Sequence, residues 1–174
     1  MKYLKIYLLS FFLLLNYLKA NSSDNINYIK SLLEGRYELV YWKQDNLKFN
    51  YPQIAGTLVV QDNKISFTLD SNMKENETVK IIGWGNYNLS VNEYNYGYFD
   101  FKKMTYNGID MKVNENLPWQ GMRKYSVSLK KNKLVLTSST GKQSWELDNK
   151  SLIYTDKEWG TDKKEVIRYW KRIE

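Results

Sequence analysis

Trp119 to Lys130 (WQGMRKYSVSLK) alternates almost without fault. Trp119, Gly121, Arg123, Tyr125, Val127 and Leu129 fall on one face, and the residues between them are polar except for Met122. A period of two marks a half-buried β-strand, with one side against a core and the other against water. The same period recurs along the chain. Ile65, Phe67 and Leu69 alternate with Lys64, Ser66 and Thr68, and Tyr94, Tyr96, Tyr98 and Asp100 share a face. Turn-forming residues separate the runs, at Asp62-Asn63, Asn92-Glu93, Lys131-Asn132 and Gly141. Residues 22–34 read differently. Ile26, Ile29, Leu32 and Leu33 are spaced for one helix face, and Gly35 stops it. The expectation is an all-β fold, with one short N-terminal helix before eight to ten short antiparallel strands. A meander of that length must hide its edges. Closure into an up-and-down β-barrel does so, and an eight-stranded barrel has room for one small ligand. The 174 residues suit a single domain.

The first 20 residues stand apart. Lys2 and Lys5 precede an apolar run from Ile6 to Leu15, and small Ala20 follows at a cleavage position. This is the layout of a secretory signal peptide, and the run is too short for a spanning helix. The expected domain is therefore residues 21–174, exported to the periplasm or beyond, with no stable membrane insertion once the signal is removed. Without Lys2, Lys5 and Lys19 the formal charge falls from +7 to +4. That excess is ordinary for a soluble domain. The paired lysines flank strands and turns with no continuous basic stripe, so nucleic acid is not an expected partner.

Histidine and cysteine are both absent. This removes disulfides, thiolate nucleophiles, Cys/His zinc sites and Ser-His-Asp triads. No P-loop or dinucleotide fingerprint is present either. Gly83-Trp84-Gly85 falls inside a strand, where such glycines mark a bulge or a sharp bend. No cofactor and no metal is expected, and binding is favoured over catalysis.

Several motifs fall in a recognisable order. Leu33-Glu34-Gly35-Arg36-Tyr37-Glu38-Leu39 resembles the opening of lipocalin-type barrels, with Tyr37 where that family prefers Trp. Gly56-Thr57-Leu58-Val59-Val60, Gly85-Asn86-Tyr87, Pro118-Trp119 with Gly121, Arg123 and Tyr125, Leu134-Val135-Leu136-Thr137 and Tyr169-Trp170-Lys171-Arg172 follow. Together they resemble the small bacterial lipocalin-like domain family, a calycin-type β-barrel. The resemblance implies a barrel that holds a small hydrophobic or amphipathic molecule.

Aromatic side chains suit the lining of such a cavity, with Tyr hydroxyls as orienting groups. The candidate ligand-binding set is Tyr37, Tyr41, Phe67, Trp84, Tyr87, Tyr98, Trp119, Arg123, Tyr125 and Trp145. The same residues could equally fill a solid core. Arg123 lies on an apolar face, so it needs a carboxylate or a ligand anion. Asp100 or Glu146 could pair with it, it could stack on Tyr37, or it could clamp a ligand carboxylate. Two other functions fit the composition. One is a barrel enzyme of isomerase or cyclase type using Tyr, Asp100 and Arg123. The other is a protein- or glycan-binding β module with exposed aromatics.

Overall fold

The computed structural model describes residues 25–174. The proposed export segment, and the start of the helix expected from residue 22, lie outside the described residues. Residues 25–33 form helix α1. Twelve strands follow: β1 (Gly35–Gln44), β2 (Leu47–Asn50), β3 (Ile54–Gln61), β4 (Lys64–Lys74), β5 (Glu77–Leu89) and β6 (Glu93–Tyr106). The remainder are β7 (Met111–Asn114), β8 (Arg123–Lys130), β9 (Lys133–Ser138), β10 (Gln143–Leu147), β11 (Ser151–Trp159) and β12 (Lys164–Arg172).

Ten of these strands close an antiparallel up-and-down barrel. Neighbours in sequence are neighbours in space, and β12 returns to β1 through pairs from Tyr37–Arg172 to Gln44–Val166. The short strands β2 and β7 fold back on the second half of β1 and the last turn of β6. Closure removes the sheet edges of the main barrel, except over residues 97–102 of β6, which pair with β5 alone.

Helix α1 plugs one end. Ile29, Leu32 and Leu33 are buried there, as their spacing predicts. The last carbonyls of a helix lack partners within it. Here the Tyr37 hydroxyl donates to the Leu33 carbonyl at 3.0 Å, and the Arg172 guanidinium donates to the carbonyls of Ser31 and Glu34. A cation at a helix C-terminus also complements the helix dipole. The Tyr87 hydroxyl reaches Glu34 Oε1 at 2.5 Å. Tyr37 and Tyr87 thus fasten the plug, far from the open end.

Two bulges reset which face points inward. The β1–β12 register slips between Leu39 and Tyr41, so Tyr37 and Leu39 face in, and then Trp42 does. Tyr41, placed in the cavity by strict alternation, lies instead on the outer face, stacked on Tyr169 with ring centroids 5.3 Å apart. In β6 the register slips opposite Trp84/Gly85 and leaves Phe99 unpaired. Tyr94, Tyr96 and Tyr98 face in, then Phe101 does, and Asp100 is turned out and exposed. Asp100 is therefore not the counter-ion of Arg123. Glu146 is exposed on β10 and does not serve either.

Trp84 is also an outer-face residue, 46% exposed. The inner positions belong to its flanking glycines. A Cβ on Gly83 would sit 2.5 Å from the Phe67 ring, and one on Gly85 would sit 2.2 Å from the Gly97 carbonyl oxygen. The sequence places a bend there, and the bend exists to admit a ring and a close backbone crossing.

Candidate functional site

Between the plug and the open end the barrel encloses a cavity of about 140 Å³. Its walls come from nearly every strand. Phe67 and Leu69 stand on β4, Ile81 on β5, and Tyr96, Tyr98 and Phe101 on β6. Trp145 on β10, Tyr154 on β11, Trp170 on β12, and Trp42 and Leu58 on β1 and β3 complete the ring. The aromatic groups meet edge-on or tilted, which suits their quadrupoles. Tyr96 lies 5.6 Å from Trp145 and 5.5 Å from Trp119, and Tyr98 lies 5.0 Å from Trp119.

Pro118 and Trp159 line the cavity and are themselves exposed, so they form the wall towards solvent. Pro118 and Trp119 belong to a strandless connection between β7 and β8. That connection sits close against β6: a Cβ on Gly97 would come within 2.5 Å of the Gly121 carbonyl oxygen.

Two arginines enter this apolar chamber. Arg168 follows inward Val166 and precedes inward Trp170 on β12, and its cross-strand partners are Trp42 and Tyr154. Its guanidinium stacks over Trp42 at 3.9 Å and Trp159 at 4.4 Å. Such stacking is favourable but does not saturate the donors. Arg168 Nε is buried without a hydrogen-bond partner, and Arg168 forms no ion pair among the described residues. Burial pushes its pKa down, against the opposing pull of Tyr154, Tyr96, Tyr98 and Asp156. An arginine stays charged through shifts of this kind. Arg123 stacks on Trp119 at 3.8 Å, and its Nη1 donates to Gln143 Oε1 at 3.4 Å. Tyr37, one of the alternatives open to Arg123 in the sequence, is instead taken by Arg172 at the plugged end.

Gln143 connects Arg123 to the one buried carboxylate among the described residues, Asp156. Gln143 Oε1 also accepts from the Tyr125 hydroxyl at 2.8 Å, and its Nε2 donates to Asp156 Oδ2 at 2.7 Å. The Tyr154 hydroxyl donates to the same oxygen at 3.0 Å, and the Glu158 amide donates to Asp156 Oδ1 at 3.0 Å. Every contact to Asp156 is a donor, as an ionised carboxylate requires. On the far side of this network an open polar groove of about 570 Å³ shares Arg123, Gln143 and Asp156.

Of the ten residues expected to bind ligand, Phe67, Tyr98, Trp119, Arg123 and Trp145 line the cavity. Tyr125 is buried behind Trp145, with ring centroids 6.3 Å apart. Tyr37 and Tyr87 hold the plug, and Tyr41 and Trp84 face outward. The alternation of β12 carried the signal for Arg168, a charge between inward Val166 and Trp170. Trp42 lay hidden behind the β1 bulge.

Burial has a measurable signature. It raises the pKa of Tyr37 from 10.0 to about 12, with Arg172 acting in the opposite sense. Burial likewise raises Tyr87, Tyr94, Tyr96, Tyr98, Tyr125 and Tyr154. A folded pKa above the unfolded one favours the neutral, protonated form. The resulting stability is whole below pH 10 and is lost as the pH rises through about 12 for Tyr37. Alkaline titration followed at 295 nm should therefore show the buried tyrosines ionising last. The seven buried ones should ionise in a late, cooperative step coincident with loss of β-sheet circular dichroism. A single smooth titration near the ordinary value would contradict the buried tyrosine cluster.

Among the described residues, no cluster of three or more acidic side chains is placed to hold a metal ion, and no helix is long and apolar enough to cross a membrane. No protein-family model, curated protein or solved structure matches the chain.

Proposed function

We propose that the protein is a lipocalin-like carrier, exported by its N-terminal segment, that holds a small and largely apolar molecule in the aromatic cavity. The observation that supports this most directly is the cavity itself, walled by rings and closed towards solvent by Pro118 and Trp159. Its size sets the class of cargo. A dry cavity of about 150 Å³ takes one benzene-sized molecule, whereas drug-sized ligands occupy roughly 300–1,000 Å³. At about 140 Å³ the cargo is a single ring or a short chain, not a long-chain lipid. The isomerase or cyclase reading loses its main acid, because Asp100 is exposed on the outer face.

Tryptophan emission reports on the site directly, since Trp42, Trp119, Trp145, Trp159 and Trp170 all line it. Titration with benzyl alcohol should shift or quench that emission in a saturable way, while a long-chain alcohol should not. Ile81→Phe, which pushes a ring into the cavity, should abolish the response with the circular dichroism spectrum retained. A wild-type protein silent both to benzyl alcohol and to benzoate would sink the proposal.

A further inference from the structure

Two independent observations describe what the cavity wants from its occupant, given that it binds one. The first is the pattern of unpaired polar atoms. Trp42 Nε1, Trp119 Nε1, Trp145 Nε1 and Arg168 Nε are buried without hydrogen-bond partners, and all four belong to residues lining the cavity. All four are donors. Native interiors rarely leave buried donors unmatched, and the one on a charged group, Arg168, is the one whose cost an acceptor-bearing ligand would relieve most.

The second is charge. Two guanidinium groups line the cavity, and the only buried carboxylate among the described residues is Asp156. Asp156 already accepts three hydrogen bonds, and neither arginine reaches it within ion-pair distance. Arg123 also opens on the polar groove beside Asp156 and Glu158, so Arg168 is the chamber's charge with no ion-pair partner among the described residues. A buried charge without a counter-ion is costly, and an anionic ligand removes that cost. The planar fork of arginine suits a carboxylate.

We infer that the molecule held in this cavity is a small organic monoanion, an aromatic or short-chain carboxylic acid, whose carboxylate is taken by Arg168 with Arg123 on the side of the connection that carries Trp119. The ring or chain lies against Tyr96, Phe67 and Trp145. The inference rests on the carrier reading, because it assumes that the cavity is filled by a ligand.

Benzoate and benzyl alcohol separate the two. They share a ring and differ in charge. Tryptophan fluorescence titration of the full chain should show benzoate binding at least tenfold more tightly than benzyl alcohol. In Arg168→Met that ratio should fall to near one, and in Arg123→Met it should fall by a smaller factor. If Arg168→Met does not fold, Arg168→Gln gives the same comparison with a polar head retained. Equal affinity for the two probes in the wild type overturns the monoanion inference and leaves the carrier reading standing. A benzoate preference that survives in both arginine variants also overturns it. Binding of neither probe removes the carrier reading, and this inference with it. Inorganic anions such as chloride should compete weakly at best, since they fill none of the aromatic wall. Competition by chloride as effective as benzoate would show a simple anion site instead.

Discussion

Trp145→Ala is expected to destabilise the barrel by about 3–5 kcal/mol, the range for truncating a buried tryptophan. Trp145 is 5% exposed and stands where two aromatic layers meet. It packs edge-on against Tyr154 at 5.4 Å and Tyr96 at 5.6 Å, and against Tyr94 and Tyr125 at 6.3 Å. Removing it leaves a gap beside the aromatic cavity, and rings held in a closed barrel cannot collapse to fill it. Its Nε1 makes no hydrogen bond, so the loss is one of packing. Guanidinium denaturation should show a lower midpoint with an unchanged slope. Trp145→Phe should recover much of the loss. A change below about 1 kcal/mol in Trp145→Ala would mean that the aromatic layers are loosely packed.

Asp156→Ala is expected to be destabilising by a different route, at about 1–3 kcal/mol for each buried donor it leaves unmatched. The substitution strips the acceptor from Gln143 Nε2, the Tyr154 hydroxyl and the Glu158 amide together. It also leaves Arg123 and Arg168 in the barrel with no buried carboxylate at all. Arg168→Met has the opposite sign. It removes a buried charge that lacks a counter-ion and leaves an apolar chain of similar length, so the protein should melt at a higher temperature. Arg168→Met should raise the melting temperature more in the Asp156→Ala background than in the wild type, because the two effects share one electrostatic origin. Additive melting shifts in the double variant would show that Asp156 acts through its hydrogen bonds only.

The barrel was legible because its strands announce themselves. β8 alternates cleanly, and the helix pattern at Ile29, Leu32 and Leu33 needs no tertiary context. The site was half legible, and the reasons are local. Alternation predicts a face only until a bulge inserts a residue. Val40 and Phe99 do this on β1 and β6, and each flips one candidate: Tyr41 is exchanged for Trp42, and Asp100 for Phe101. Depth along a strand is a second limit. Tyr37 and Tyr87 have the right phase but the wrong height, because nothing in a period of two tells the plugged end from the open one. Trp84 failed on phase itself, as an aromatic between two inward glycines. Arg123 was correctly placed on an inner face, but its neighbours Gln143 and Trp119 come from other segments, and their meeting depends on the closed register.

The order of the strands also bears on how the barrel assembles. All neighbouring pairs but one join strands close in sequence, through turns such as Asp62-Asn63 and Lys131-Asn132. Such local pairings form with little loop-closure entropy. The seam between β1 and β12 is the exception, since it matches Tyr37 with Arg172 across nearly the whole meander. That seam also brings Arg172 to the helix carbonyls and Arg168 between Trp42 and Tyr154. The contacts that seal the plug and those that build the chamber therefore arrive in the same late event, and a chain that has not zipped its seam has neither.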